Sequence, residues 1–167
     1  ARARRTSQIG ALLFLDLDKF KRINDSLGHS VGDATLQRMA RVLTEVFRPQ
    51  DSVIRYGGDE FLVILAHTNV EGGTVFAERW RADLEGTAIE VEGGKTIRAT
   101  LTIGMASFLP TLKSTDELVA AADSALYRAK DSGRNCIVAD DTPTSGIYSL
   151  LSGDELAANV VVGQFGY

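Results

Sequence analysis

The stretch Arg55-Tyr56-Gly57-Gly58-Asp59-Glu60-Phe61 lies between two apolar segments, residues 52–56 and 61–66, that have the composition of β-strands. A Gly-Gly dipeptide between two such segments predicts a tight hairpin, because glycine adopts positive φ at both central positions without strain. The two carboxylates that follow have no packing purpose at the start of an apolar strand. Their position at an exposed loop tip indicates a role in holding a cation or a reacting group.

A second acidic pair ends the first apolar run of the chain, Ala11-Leu12-Leu13-Phe14-Leu15-Asp16-Leu17-Asp18. A continuous apolar run is typical of a strand buried on both faces. Burial of an isolated carboxylate costs several kcal/mol unless its charge is compensated. We expect Asp18 to be the N-cap of the helix that follows, whereas Asp16 has no such structural role. With the two hairpin carboxylates, Asp16 predicts an oxygen-ligand site for Mg²⁺, which takes its other ligands from water and phosphate.

The rest of the sequence alternates between helical and strand patterns. The predicted elements are a strand at 9–15, helices at 18–27 and 33–47, the Gly57-Gly58 hairpin, a helix at 70–84, a second hairpin with strands at 87–91 and 96–105, a helix at 116–131 and a strand at 135–139. Gly28 and Gly133 are expected to end the helices that precede them. Two helices before the first hairpin, and a second hairpin later, favour an α+β fold with a mixed, mainly antiparallel central sheet flanked by helices.

Length and composition narrow the class of protein. A chain of 167 residues with a net charge of −4 fits a single globular domain and argues against a nucleic-acid binder. No apolar run is long enough to cross a membrane, so we expect no direct insertion of this segment. The lone Cys136 excludes a disulfide framework, and we expect it to be a buried, inert thiol.

The C-terminal part of the sequence differs from the rest. Residues 140–146 have the composition of a linker, and Ser152-Gly153-Asp154-Glu155 predicts a capping box for a short helix before the apolar segment that begins at Val160. We therefore predict a domain over residues 1–139 and a C-terminal extension of unknown role over residues 140–167.

Five sequence blocks together resemble one known family, the GGDEF domains, which are diguanylate cyclases. The blocks are Gly57-Gly58-Asp59-Glu60-Phe61; Phe14-Leu15-Asp16-Leu17-Asp18-Lys19-Phe20-Lys21 with Ile23-Asn24-Asp25; Gly28-His29-Ser30-Val31-Gly32-Asp33; Thr102-Ile103-Gly104-Met105-Ala106; and Ala122-Asp123-Ser124-Ala125-Leu126-Tyr127-Arg128-Ala129-Lys130 with Gly133-Arg134-Asn135. The resemblance runs from about residue 9 to 138. The family's opening turn, D-x-L-T-x-L-x-N-R, is missing, and residues 1–5 look like the tail of the helix that follows that turn. The resemblance implies the palm-like arrangement shared by nucleotide cyclases and polymerases.

The resemblance also implies a catalytic metal centre. Asp16, Asp59 and the backbone carbonyl of Leu17 match the positions that hold Mg²⁺ (or Mn²⁺), and in two-metal chemistry the ions clamp the attacking and leaving oxygens. Asp59 and Glu60 are the expected catalytic pair. Glu60 is either a second metal ligand or a group that helps deprotonate the attacking 3′-hydroxyl, and the sequence does not separate these roles.

Two polar residues match the family's guanine-reading positions, Asn24 and Asp33. A carboxylate can accept hydrogen bonds from the ring N–H and the exocyclic amine of guanine, and an amide can donate and accept at once. In the purely structural interpretation, Asn24 is an ordinary mid-helix residue and Asp33 is an N-cap. We favour guanine binding because both positions match together.

Basic residues near two helix ends match the family's phosphate-binding positions. Lys130 and Arg134 are expected to hold the β- and γ-phosphates of GTP, although cations at a helix C-terminus also complement the helix dipole. Lys21 is a further candidate. Phe20, Lys19 and the backbone around them could donate N–H groups to phosphate at the start of a helix.

Arg48-Pro49-Gln50-Asp51 matches the family's R-x-x-D inhibitory site for the product. Arg48 can bind a guanine edge or a phosphate bidentately, and Asp51 can accept from guanine. An isolated pair of this kind is more often a surface salt bridge of little energetic value. Arg79 is the expected additional arginine, with Arg81 as a substitute.

The implied activity is the condensation of two GTP molecules into cyclic di-GMP and two pyrophosphates across a homodimer, with product inhibition at the R-x-x-D site. One alternative is a non-catalytic module that senses GTP or cyclic di-GMP and regulates a fused or partner domain. A second is a dimerising scaffold that uses neither nucleotide. We expect a cytoplasmic domain, and the full-length protein could be tethered to a membrane.

Overall fold

The computed structural model describes residues 10–45, 47–109 and 114–145. The predictions for residues 1–9, for Val46, for the capping box at Ser152 and for the apolar segment at Val160 lie outside the described residues.

The described chain forms seven strands and four helices. In chain order these are β1 (Gly10–Leu17), α1 (Phe20–Leu27), α2 (His29–Thr44), β2 (Ser52–Arg55), β3 (Glu60–Ala66), α3 (Val70–Gly86), β4 (Ile89–Val91), β5 (Lys95–Ile97), β6 (Leu101–Leu109), α4 (Thr115–Asp131) and β7 (Ile137–Ser145).

Five of these strands form one central sheet in the order β2-β3-β1-β6-β7, and β4 and β5 form a separate hairpin. β1 is antiparallel to both of its neighbours, β2 is antiparallel to β3, and β7 is parallel to β6. The prediction of an α+β fold with a mixed, mainly antiparallel sheet is therefore confirmed.

The sheet is covered on both faces, which explains why β1 is almost continuously apolar. Strand positions Leu13, Leu15 and Leu17 face a core that includes Met39 of α2 and Trp80 of α3. The alternate positions of the sheet pack with α4 instead. This second core comprises Leu12, Phe14, Leu62, Ala106, Phe108, Leu118, Ala122 and Leu126. Because side chains alternate along a strand, β1 contributes to both cores.

Gly104 brings α4 unusually close to the sheet. A Cβ atom at this position would lie 2.1 Å from the Leu126 backbone nitrogen and 2.2 Å from the Ala122 carbonyl oxygen. Only glycine allows the helix backbone to rest directly on β6 here. The close approach fixes the height of α4 over the sheet, and with it the position of Lys130 in the last turn.

The prediction that Gly57 and Gly58 adopt positive φ is wrong. The β2–β3 register pairs Arg55 with Phe61, so residues 56–60 lie between the paired positions and a two-residue turn is not required. The glycines with positive φ in a hairpin are instead Gly93 and Gly94, at 82° and 70°, in the β4–β5 turn.

Helix boundaries near the N-terminus also differ from the prediction. α2 begins at His29, four residues before the predicted start, because Gly28 (φ 92°) separates it directly from α1. Asp33 therefore lies inside α2 and is not its N-cap. Gly28 ends α1 as predicted, and its N–H donates to the Asn24 carbonyl over 2.9 Å.

The second predicted hairpin and the last strand are also different. The predicted strand at 96–105 is not one strand, because β5 ends at Ile97 and β6 begins at Leu101 and pairs with β1. β7 continues to Ser145, so residues 140–145 of the predicted linker are strand.

None of the helices in the described part of the chain is long and apolar enough to cross a bilayer.

Candidate active site

The ends of two neighbouring strands bring the two predicted metal-binding carboxylates together. Asp16 lies opposite Glu60 in the β1–β3 register, so the loop that carries Asp59 reaches the end of β1. The Leu17 N–H donates to the Asp59 carbonyl over 3.2 Å. The two side chains are also close to each other, because the Asp59 carboxylate contributes to raising the pKa of Asp16. Segments more than forty residues apart in sequence thus meet at one point, as predicted.

Asp16 has an unusual electrostatic environment. Its pKa is raised to about 6: burial is the largest cause, the nearby Asp59 carboxylate also raises it, and Lys130 opposes both effects. Asp16 Oδ2 pairs with the Lys130 ammonium, whereas Oδ1 is buried and has no hydrogen-bond partner within the described residues. Buried polar atoms in proteins are nearly always partnered, so the free oxygen indicates a missing ligand of positive charge.

This donor set fits a hard divalent cation. Carboxylate oxygens suit Mg²⁺ and Mn²⁺, and Mg²⁺ typically keeps several waters or phosphate oxygens beside one or two carboxylates. Within residues 10–45, 47–109 and 114–145 no three His, Cys, Asp or Glu side chains form an all-protein metal cage.

Arg55 holds the loop that carries Asp59, a role that the sequence did not reveal. Its guanidinium donates to the carbonyls of Gly57 and Gly58 over 3.2 and 2.8 Å. Glu60 turns back over the same loop, since a Cβ on Gly57 would lie 2.9 Å from Glu60 Oε2. A side chain at Gly57 would displace the Glu60 carboxylate.

The two predicted guanine-reading residues lie on adjacent helices. Asn24 of α1 packs so tightly on α2 that a Cβ on Gly32 would lie 1.8 Å from Asn24 Oδ1. Asp33, the next residue along α2, is exposed. The Asn24 amide is therefore held against Gly32, the residue directly before Asp33. Of the predicted α1 phosphate ligands, Phe20 packs against the core and Lys21 is exposed.

Basic residues line a cavity of about 670 Å³ between α1, the start of β6 and the turn that follows α4. Its cationic lining residues are Lys19, Arg22, Arg98 and Arg134. Arg134 is exposed and has positive φ (65°), and Lys130 lies one turn earlier on α4 against Asp16. The two predicted phosphate-binding cations therefore occupy different places, one at the carboxylates and one at the cavity.

Asp18 is not a helix N-cap, contrary to the prediction. The N-cap of α1 is Lys19, and no side chain caps it. Asp18 is buried, and its carboxylate accepts from Thr100 Oγ1 at 2.7 Å, Thr102 Oγ1 at 2.5 Å and the Asn135 N–H at 3.1 Å. These donors come from β6, from the residue before it and from the turn after α4, all far away in sequence, so the residues around Asp18 give no local signal of this role.

The residues of the predicted product site lie on another face. Asp51 accepts from the backbone N–H groups of Arg48 (3.1 Å) and Ala66 (3.3 Å). The Arg48 guanidinium lies over the Phe76 ring, 4.8 Å from its centroid, and among the described residues it forms no ion pair with Asp51. Arg79 is exposed on α3, three residues after Phe76 and hence on the same side of the helix.

Arg81 does not fit the role of a substitute for Arg79. Its guanidinium is bound to Glu78 (2.7 Å), Glu85 (2.6 Å) and Asn135 (2.8 Å) and is only 16% exposed. These carboxylates raise its pKa well above the ordinary value, with the Glu78 hydrogen bond as the largest cause. Arg81 is therefore a structural residue that links α3 to the turn after α4.

Comparison with known proteins agrees with the geometry. Residues 1–136 match the family model described as diguanylate cyclase, GGDEF domain. The chain is 40% identical over 125 residues to diguanylate cyclase A of Treponema denticola, covering 75% of this chain and 33% of that relative. It is 39% identical over 135 residues to diguanylate cyclase DosC of Escherichia coli K12, covering 81% of this chain and 29% of that relative.

A solved structure has the same fold. The GGDEF domain of DgcB from Caulobacter crescentus, in complex with c-di-GMP, superposes with a TM-score of 0.76 at 29% identity, covering 81% of this chain and 80% of that one. The chain spans about a third of the length of the curated relatives that it matches. With its family match, fold and paired carboxylates, this chain belongs to the GGDEF domain family of diguanylate cyclases.

Proposed function

We propose that this domain condenses two GTP molecules into cyclic di-GMP and two pyrophosphates, as one half of a homodimer and with a divalent cation. The observation that carries the proposal is the meeting of Asp16 and Asp59, where a buried carboxylate oxygen has no partner among the described residues. A fold that needed these carboxylates only for stability would pair that oxygen.

In this proposal Asp16, Asp59 and the Leu17 carbonyl hold Mg²⁺ or Mn²⁺. The bound ion supplies neutralising charge at the reacting phosphate and favours the deprotonated nucleophile. Lys130, which pairs with Asp16, would bind the phosphates of the triphosphate beside the metal. Arg134 binds the β- and γ-phosphates from the side of the cavity.

Each step of the reaction forms one phosphoester bond and breaks one phosphoanhydride bond. The 3′-oxygen of one GTP attacks the α-phosphorus of the other, the bond to the β,γ-diphosphate breaks, and pyrophosphate leaves. The proton of the 3′-hydroxyl passes to a base, for which Glu60 is one candidate; its other role is that of a second metal ligand. Two such steps close the ring. A domain with one GTP site cannot complete both, so two copies must face each other.

Guanine selectivity comes from Asn24 and Asp33 in this proposal. Their placement on the tightly packed α1 and α2 gives the base a rigid polar edge, because Asn24 lies against Gly32. A carboxylate beside an amide suits the adjacent donors of guanine, which adenine lacks.

Product inhibition is proposed at Arg48, Asp51 and Arg79. Arg48 packs on Phe76 of α3, and Arg79 lies on the same side of that helix. Neither arginine forms an ion pair among the described residues, so both guanidinium groups are available to a ligand. The Phe76 ring packs against the Arg48 guanidinium and helps to orient it.

Incubation of the chain with GTP and Mg²⁺, followed by chromatography and mass spectrometry, tests the proposal. We expect cyclic di-GMP and pyrophosphate in a 1:2 ratio, and a rate that rises faster than linearly with protein concentration because the dimer is the active species. GTP or cyclic di-GMP binding without turnover would favour a sensing module instead. Binding of neither nucleotide would contradict both and leave the scaffold role.

A further inference from the structure

The turn between α4 and β7 has an unusual backbone conformation. Gly133, Arg134 and Asn135 follow one another with φ values of 116°, 65° and 47°. Asparagine tolerates the left-handed region, but arginine seldom adopts it. Such a conformation persists only where the surrounding structure over-determines it, and it occurs most often at functional sites. The turn therefore needs a source of stabilisation outside itself.

Asn135 receives that stabilisation from both sides. Its backbone N–H donates to Asp18 Oδ2 at 3.1 Å and to Thr102 Oγ1 at 3.0 Å. Its side-chain oxygen accepts from Arg81 at 2.8 Å, and its side-chain nitrogen donates to Glu85 at 2.8 Å. The residue that follows Arg134 is thus held by the end of β1, by β6 and by α3.

The two α3 residues are themselves fixed in place. Arg81 donates to both carboxylate oxygens of Glu78, at 2.9 and 2.7 Å, and to Glu85 at 2.6 Å. Because a guanidinium is planar and its donors have fixed directions, such pairs orient the group as well as charge it. Arg81 consequently presents one donor to Asn135 in a defined position.

We propose that Asp18, Arg81 and Glu85 form a clamp on Asn135 that positions Arg134 for the triphosphate. The inference rests on the proposed function, because it assigns Arg134 to phosphate binding. In this proposal the three clamp residues are positioning residues: they act on Arg134 through the turn and not by binding the nucleotide. The clamp also explains why a buried Asp18 carries three hydrogen bonds from this chain, which leaves it unsuited to metal binding.

The test compares ligands that differ in the triphosphate. The chain is titrated calorimetrically with 3′-deoxy-GTP, which cannot cyclise, and with GMP, which lacks the β- and γ-phosphates. For Arg81→Ala we expect the Kd for 3′-deoxy-GTP to rise about tenfold, as when one charge-assisted hydrogen bond is lost. The Kd for GMP should stay unchanged. Arg41→Ala, an exposed arginine on α2, is the matched control and should bind both ligands like the wild type.

A double-mutant cycle makes the test specific to Arg134. If the clamp acts through Arg134, the pair Arg81→Ala and Arg134→Ala should lose no more affinity for 3′-deoxy-GTP than Arg134→Ala alone. If Arg81→Ala does not fold, Asn135→Gly carries the same test, since it removes both side-chain bonds and tolerates the positive φ.

Three outcomes would overturn the clamp: unchanged affinity for 3′-deoxy-GTP in a folded variant, equal losses for the two ligands, or additive losses in the cycle. The proposed function fails separately, in the wild type. A wild-type chain that binds neither nucleotide overturns that function, and with it this inference.

Discussion

Asp16 at the proposed metal site and Asp51 at the proposed product site have opposite hydrogen-bond environments. At the metal site, Asp16 is buried beside Asp59, its pKa is raised to about 6, and one of its oxygens lacks a partner in the described part of the chain. At the product site, Asp51 bonds two backbone N–H groups, and Arg48 lies on the Phe76 ring.

The difference indicates that Asp16 is placed for binding a ligand, whereas Asp51 also stabilises the fold. A buried, unpartnered oxygen lowers stability until a cation binds, whereas a carboxylate with two backbone donors raises stability without any ligand. Substitution of Asp59 should therefore cost activity and not stability. Substitutions at the product site should cost stability in proportion to the protein contacts that they remove.

Asp59→Asn should produce the largest effect. Turnover of GTP should fall by roughly a thousandfold or more, because a bound metal contributes several kcal/mol of transition-state stabilisation. The thermal midpoint should not fall, since the change removes a charge that repels Asp16. Product chromatography and a thermal melt measure the two quantities. Asp123→Asn, an exposed carboxylate on α4, is the matched control. Turnover at the wild-type rate in Asp59→Asn would contradict the proposal that Asp59 holds the catalytic metal.

Asp51→Ala should produce the next largest effect, this time on stability. Two backbone N–H groups, of Arg48 and Ala66, lose their acceptor, which should cost about 1–2 kcal/mol in the free energy of unfolding. Urea denaturation measures the loss. Asp83→Ala, whose contact with Arg38 is a 3.6 Å surface pair, should cost much less. Equal stability of the two variants would contradict the proposed structural role of Asp51.

Arg48→Ala should have the smallest effect on the protein itself. The loss of one exposed cation–π contact should cost about 0.5–1 kcal/mol of stability. Inhibition by cyclic di-GMP should weaken while the initial rate with GTP stays the same, because Arg48 lies away from the metal site. Initial rates at increasing cyclic di-GMP concentrations measure this. Unchanged inhibition would remove the product-site proposal.

The sequence predicted the parts of the fold that depend on local pattern. β1, α3 and α4 are found where continuous apolar runs and helical spacing placed them, and the α+β class followed from their order. The meeting of Asp16 and Asp59 was also predicted, because a strand-end carboxylate and two hairpin carboxylates together are typical of an oxygen-ligand site for Mg²⁺.

What the sequence did not reveal depends on contacts between distant residues. Asp18 resembles an N-cap, but its partners are Thr100, Thr102 and Asn135, which only the sheet and the turn after α4 bring to it. The start of α2 was placed too late because an in-helix Asp33 has the same residue type as a cap. In both cases the residue type fitted a helix N-cap, but the surrounding structure gave the residue a different position or different partners.

The most direct test of a shared cation is paramagnetic broadening by Mn²⁺ in the presence of 3′-deoxy-GTP. In the wild type, the amide signals of Leu17 and Asp59 should broaden together, because the ion lies between the end of β1 and the hairpin loop. In Asp16→Asn the broadening at both residues should weaken strongly at the same Mn²⁺ concentration. Broadening of only one of the two signals, or equal broadening in wild type and variant, would contradict the account.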